Sequence, residues 1–183
     1  YRARVRHQDS TGRWSHWSVP VEIIPGEPAS LSTLQRDLAI SEIYYQPAAA
    51  TAAEVLAGYT TGDFEFVELK NVGSQVLDLS NVRLTKGVDY DFSADTQLLP
   101  DAAILVVANQ AAFESRYGNN RPVAGVFTGN LADGGENLKL SIGAGISIHE
   151  ISYDNKPPWP IDPDHSLVLA PLVAGTIHAN PVS

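Results

Sequence analysis

The sequence predicts an all-β chain: an antiparallel β-sandwich with one short helix, preceded by a β-hairpin. Three observations predict it. Two runs rich in Ile, Val, Phe and Tyr, at 38–45 and 64–71, flank an Ala/Thr/Gly loop, which reads as strand, loop, strand. The same grammar then repeats, with alternating apolar residues bounded by Gly, Asn, Asp and Ser turns. One stretch carries helix punctuation at both ends, with Asn109 before Gln110–Tyr117 and Gly118 after it.

Composition bounds the function. The chain has 183 residues, 44% of them hydrophobic, enough for a sizeable core. It starts at Tyr1 and contains no methionine, so it reads as a piece of a longer protein in which a leader peptide cannot be sought. No apolar run approaches the roughly 18 residues of a membrane helix. The absence of cysteine excludes disulfides, thiolate chemistry and Cys-type zinc sites. His7, His16, His149, His165 and His178 are scattered without metal-ligand spacing. The net charge is −9, yet Arg2, Arg4, Arg6 and Arg13 outweigh Asp9 and Glu22 in the first 24 residues, so the acid lies in the remainder. Such a body repels nucleic acid and anionic membranes, and no nucleic-acid partner is expected.

Taken in order, residues 1–24 read as a hairpin. Tyr1, Ala3 and Val5 alternate with Arg2, Arg4 and Arg6, and Asp9–Gly12 supplies the turn. Trp14-Ser15-His16-Trp17-Ser18 precedes a second strand near Val19–Ile24. Guanidinium groups on one strand can interleave with indoles from the next, so Arg2, Arg4, Arg6, Trp14 and Trp17 are expected to form a structural ladder. Residues 25–37 read as a linker, 38–170 as the sandwich and 171–183 as a tail.

Within the sandwich the apolar phase slips by one residue at Ser41-Glu42 and again at His149-Glu150, so each strand should bulge or change sheets there. In the run 64–70, Glu68 shares a face with Phe64 and Phe66, and Glu65 shares the other with Val67 and Leu69. A carboxylate is therefore buried either way, to accept backbone amides or to pair with Arg83. Ala103–Ala108 is an unbroken apolar run and reads as the central strand. Trp159 sits in the Pro-flanked loop Pro157–Pro160, where it either plugs the end of the sandwich, the favoured expectation, or is mounted rigidly as a surface contact, with Tyr153 nearby in sequence.

Two stretches resemble known families. The alternating arginines and the Trp-Ser-x-Trp-Ser box resemble the last two strands of a fibronectin type III domain, in particular the membrane-proximal module of cytokine receptors. That resemblance covers about 24 residues and implies a fold, with Tyr1 at the tyrosine corner. Farther on, Ile40–Tyr45, Glu65–Asn71, Val76–Leu84, Leu105–Asn109, Asn130–Leu138, Tyr153-Asp154 and Pro158–Pro160 occur in an order that resembles a lamin-tail domain of the bacterial type. The resemblance implies an immunoglobulin-like β-sandwich. In nuclear lamins such a domain is an interaction module; in bacteria it sits in large exported proteins beside fibronectin-like modules and secreted hydrolases. Two positions depart from the family pattern: Val82 stands where a Trp is usual, and Asp162-Pro163-Asp164 replaces a Gly-rich approach to the last strand.

No Gly-x-Ser-x-Gly, phosphate loop, His-Glu-x-x-His or dinucleotide fingerprint is present. The leading expectation is therefore a non-catalytic accessory or adhesion module of an extracellular or cell-surface protein, binding protein or glycan or spacing other domains. A second is a Ca²⁺-stabilised module with Asp154, Asp162 and Asp164 as oxygen donors. A third is a small hydrolase.

Overall fold

The computed structural model describes residues 2–22, 31–157, 159 and 164–168. The chain divides into two compact units, Tyr1–Ser30 and Leu31–Ser183.

In the first unit, β1 (Arg2–Ala3) pairs antiparallel with β2 (Val21–Glu22). The turn is built on Asp9, whose Oδ1 accepts from Thr11 Oγ1 at 2.7 Å, Thr11 N at 2.9 Å and Arg13 N at 3.0 Å. The two serines of the Trp-Ser-x-Trp-Ser box continue the pairing beyond the strands. Ser15 Oγ accepts from His7 N at 3.0 Å and Ser18 Oγ from Val5 N at 3.1 Å, while their own amides donate to the carbonyls of the same residues. Each serine thus satisfies both backbone groups of its partner, which a ladder of backbone bonds alone would not do here. Tyr1 and Ile23 lie outside the described residues.

The second unit opens with helix α1 (Leu31–Asp37), where the sequence reads as a linker. Leu34 fixes it, fully buried, and no Gly or Pro interrupts its seven residues. Then follow β3 (Leu38–Tyr44), α2 (Ala52–Leu56), a single 3₁₀ turn (Thr61–Phe64) and β4 (Phe66–Asn71). Next come β5 (Leu77–Asp78), β6 (Val82–Thr85), β7 (Val88–Asp91), β8 (Gln97–Leu98) and β9 (Ala103–Val107). The remainder is α3 (Gln110–Tyr117), β10 (Val123–Val126), β11 (Thr128–Gly129), β12 (Gly135–Ile142), β13 (Ile146–Asp154) and β14 (Leu167–Val168). The helix expected at 110–117 is α3, with Asn109 accepting from Ala112 N as its cap.

Two five-stranded sheets form a sandwich, in the orders β10-β9-β4-β3-β14 and β11-β7-β6-β12-β13. Val67, Leu69 and Val106 of the first sheet and Val82, Leu84, Leu138 and Leu140 of the second are buried. Val82 is fully buried, so the position where the family usually carries Trp is a smaller core residue here. The centre of the first sheet is β4, with the apolar β9 one place outward. Among the described residues all strand pairings are antiparallel except β9 with β10, which run parallel because α3 carries the chain back across the sheet between them.

Both phase slips are bulges, and neither strand changes sheet. In β3 the register against β4 jumps from Ile40 to Glu42, leaving Ser41 as the extra residue, as expected. In β13 the extra residue is Ile148, one place before the expected His149-Glu150. The reason is His149: it is buried with Ile148, and its Nε2 lies 2.7 Å from Leu38 O. His149 is thus an inward residue, and the phase changes before it.

Candidate functional site

On the outer face of the first sheet the register aligns side chains in rows. Tyr44, Phe66 and Val107 are opposed across β3, β4 and β9; in the next row Glu42 opposes Glu68, and Glu68 opposes Leu105. Residues two apart on a strand share a face, so these rows are stacked. Helix α3 lays Phe113 and Tyr117 over the first row. Phe66 meets Tyr44, Phe113 and Tyr117 edge to face at centroid distances of 5.4, 5.6 and 6.1 Å. A groove of about 360 Å³ borders the second row, lined by Glu42, Glu68, Tyr117, Arg121 and 164–166 and by the small exposed parts of the otherwise buried Tyr44, Phe66 and Leu105.

The polar groups of the groove are held in place. Tyr44 Oη donates to Asp164 O at 3.1 Å and accepts from Ala48 N at 3.2 Å. Ser41, the bulged residue, donates its hydroxyl to Glu68 Oε1 at 2.7 Å, and Ser166 donates to Glu42 Oε1. Neither glutamate has an ion pair with Lys or Arg among the described residues.

A second cleft, about 330 Å³, lies at one end of the sandwich, lined by Gln46, Thr61, Glu65, Asn130, Leu131 and Asp133 among others. Glu65 is only 5% exposed and accepts the Leu131 amide at 2.8 Å through Oε2. Of the two roles expected for a buried glutamate, it takes the amide; Arg83 pairs instead with Asp91, at 3.0 Å. Burial pushes the Glu65 carboxyl up to about 7 despite that amide, and the charges of Asp133, Glu136 and Asp63 add to the rise.

The residues singled out in the sequence fall elsewhere. Arg6 stands between the indoles of Trp14 and Trp17, its guanidinium carbon 4.3 and 4.6 Å from the ring centroids. Arg4 is exposed, and the side chain of Arg2 lies outside the described residues. Tyr153 is no surface contact: it is 2% exposed, its ring is 4.7 Å from that of Tyr45, and its hydroxyl donates to Glu136 at 2.9 Å. Its place on the inward phase of β13 dictates that burial. Trp159 is half-buried, between a plug and a free indole. Asp162 lies outside the described residues, Asp164 is exposed and Asp154 ends β13; no three acidic or His side chains gather to hold a metal among the described residues.

Of the groove residues, Glu68 was singled out in the sequence only as one of two carboxylates that alternation could bury, and Glu42, Tyr44, Tyr117 and Arg121 were given no site role. The signal was present in the pairs Glu42/Tyr44 and Phe66/Glu68, each two apart on neighbouring strands. Only the register, displaced by the Ser41 bulge, brings the two glutamates opposite each other.

A sequence model of the lamin tail domain family matches residues 32–155, more than half of the chain. The chain belongs to the lamin tail domain family. None of the curated proteins matches it. The match takes in α1, so in this lamin tail domain the helix before the first sandwich strand is part of the family's span. The domain is mostly β, an immunoglobulin-like sandwich with few helices, a fold compatible with a non-catalytic interaction or structural role. The groove lining combines small exposed parts of aromatic rings, two acceptor carboxylates, hydroxyl groups and the cation of Arg121.

Proposed function

We propose that the chain is a non-catalytic accessory or adhesion module of a large exported bacterial multidomain protein, acting outside the cell or at its surface and binding a protein or glycan. The single observation that carries this reading is the groove on the outer face of the first sheet. A concave lining that mixes aromatic and apolar groups with a few convergent polar ones is the general form of a recognition site. The acidic charge of the chain supports a protein or glycan partner over nucleic acid. The likeness of the amino-terminal hairpin to a fibronectin type III fragment supports a multidomain setting.

The test is a ¹⁵N–¹H NMR screen of the full chain against neutral oligosaccharides, acidic oligosaccharides and short peptides. The expected result is a shift of Tyr44, Glu68, Tyr117, Arg121 and Ser166 with at least one class. Shifts confined to other surfaces, or none at all, overturn the groove as the site. Turnover of fluorogenic glycoside, ester or peptide substrates above buffer, lost in a groove variant, overturns the non-catalytic reading.

A further inference from the structure

We propose that the cleft at the end of the sandwich is a second binding site, which takes a neutral pyranose sugar by its hydroxyl groups, with Glu65 at its base. The site is separate from the groove and stands whether or not the groove binds.

The argument starts from an unspent bonding function. Glu65 is 5% exposed, and only one of its carboxyl oxygens is engaged. Oε2 accepts the Leu131 amide at 2.8 Å, while Oε1 has no donor among the described residues. A buried oxygen without a partner costs free energy, and native structures seldom leave one so. Glu65 lines a cleft of about 330 Å³, near the lower end of the roughly 300–1,000 Å³ of small-molecule sites. Gly62, on the same wall, leaves the approach to Oε1 open. A Cβ there would stand 3.5 Å from Oε1 and would meet no other atom within 4 Å beyond its chain neighbours.

The other groups of the wall select the ligand. Gln46 donates one amide N–H to Asp133 O at 3.1 Å, which leaves its own side-chain oxygen to accept. Thr61 Oγ1 accepts the Ala50 amide at 3.3 Å, which leaves its proton to donate. The Asn130 amide, exposed on the wall, offers both functions. Donors and acceptors are therefore mixed. A cation carries donors only and leaves the Thr61 and Asn130 protons unmatched. An anion carries acceptors only and meets the carboxyls of Glu65 and Asp133 in a chain of net charge −9. A hydroxyl donates and accepts, and a pyranose ring presents several in a fixed arrangement. Pro47 and Leu131 add apolar wall for the C–H groups of such a ring.

The protonation of Glu65 separates the three ligand classes. Burial holds its proton up to about 7 against the Leu131 amide, and the charges of Asp133, Glu136 and Asp63 add to the rise. Tyr45 and Tyr153, on neighbouring strands, are pushed upward by burial and stay neutral. Below about 7 the proton sits on Oε1, because Oε2 accepts the amide, and it is donated to a sugar oxygen. Above it, Oε1 accepts a sugar O–H. A hydroxyl pairs with either state, an ammonium group only with the ionised one and a carboxylate only with the protonated one.

The experiment titrates the full chain, by ¹⁵N–¹H NMR at about pH 5.5 and about pH 8, with methyl pyranosides of glucose, galactose, mannose and N-acetylglucosamine. Methyl 6-amino-6-deoxyglucoside and methyl glucuronide are the charged counterparts. The expected result is that at least one neutral pyranoside shifts Gly62, Glu65, Asn130 and Leu131 with a dissociation constant below about 10 mM, changing less than about threefold between the two pH values. Gly62→Ala closes the approach to Oε1 and Asn130→Ala removes an amide. Each, checked for an unchanged melting temperature, should weaken binding by at least about threefold. Silence of the cleft to every neutral pyranoside up to about 50 mM, or binding unchanged in both variants, overturns the proposal. So does tighter binding of the amino sugar that rises with pH, which would make the cleft a cation site, or of the glucuronide that falls with pH. Sugar-induced shifts at Tyr44 and Tyr117 in place of the cleft residues overturn this site and leave the groove reading standing.

Discussion

At the scale of single residues, two buried polar groups each cost stability, one in a pH-dependent way and one at every pH. Glu65 is a carboxyl whose proton is held more tightly in the folded chain, up to about 7, than the ordinary value of 4.5. The folded state therefore binds more protons than the unfolded state between those values, and stability falls as pH rises through that window. Glu65→Gln keeps the amide-accepting oxygen and removes the titration. The variant should be more stable than the parent at pH 8, on the order of 1–3 kcal/mol, and nearly equal to it at pH 4. Urea melts at both pH values check this; a variant less stable at pH 8 contradicts it. Ser141 on β12 is fully buried, and its hydroxyl has no hydrogen-bond partner among the described residues. An unsatisfied hydroxyl in a core costs about 1–3 kcal/mol, so Ser141→Ala should raise the urea midpoint. A lowered midpoint would instead point to a buried water holding the Oγ.

Residue-level reading explains what was and was not legible of the site. A buried carboxylate at or just before β4 was legible, because alternation forces either Glu65 or Glu68 inward. Its partner was not, because the Leu131 amide arrives from 66 residues away in sequence. His149 and Tyr153 show the same limit. Their polarity suggests the surface, but the phase of β13 after its bulge puts both inside.

At the scale of elements, α2 is instructive because none of its residues is buried. Five residues are too few to be helical alone in water. The helix is held by its end and by one partner. Glu54 Oε2 accepts from Thr51 N at 2.7 Å while Thr51 Oγ1 accepts from Glu54 N at 3.3 Å, a capping box. Arg116 of α3 then forks onto the same carboxylate and donates to Ala48 O at 3.0 Å. Arg116 first, and the Thr51 bonds after it, hold the Glu54 carboxyl at about 2. Its folded value lies below the ordinary 4.5, so its stabilising effect is present above that value and disappears as pH falls toward 2. Arg116→Ala leaves a partly buried carboxylate unpaired and should cost about 1–3 kcal/mol, with the protection of α2 amides against hydrogen exchange lost first. Retained protection in the variant would show that the cap alone suffices. The strands and α3 were legible because period and punctuation agree in them. α1 and α2 were not: α1 is fixed by the burial of Leu34, and α2 by a partner on a distant helix.

At the scale of the whole molecule the governing quantity is the net charge of −9. Divalent cations will stabilise such a chain non-specifically, by screening its self-repulsion, and this effect does not distinguish Ca²⁺ from Mg²⁺. A built Ca²⁺ site behaves differently. It binds only the folded chain and stabilises it by about 2.7 kcal/mol at a concentration of 100 times the dissociation constant. Mg²⁺ would not reproduce this, because it demands a tighter octahedral shell and dehydrates reluctantly. Among the described residues no three acidic or His side chains converge; Asp154 ends β13, and Asp164 is held through its backbone, accepting from Tyr44 Oη and donating to Gln46 O. The expected calorimetric result is therefore equal shifts of melting temperature with Ca²⁺ and Mg²⁺ at matched ionic strength, both reproduced by NaCl once screening is saturated. A Ca²⁺ shift several degrees beyond the Mg²⁺ shift, abolished by Asp162→Asn, would establish an oxygen-ligand site built around Asp162 and make the module a metal-stabilised one.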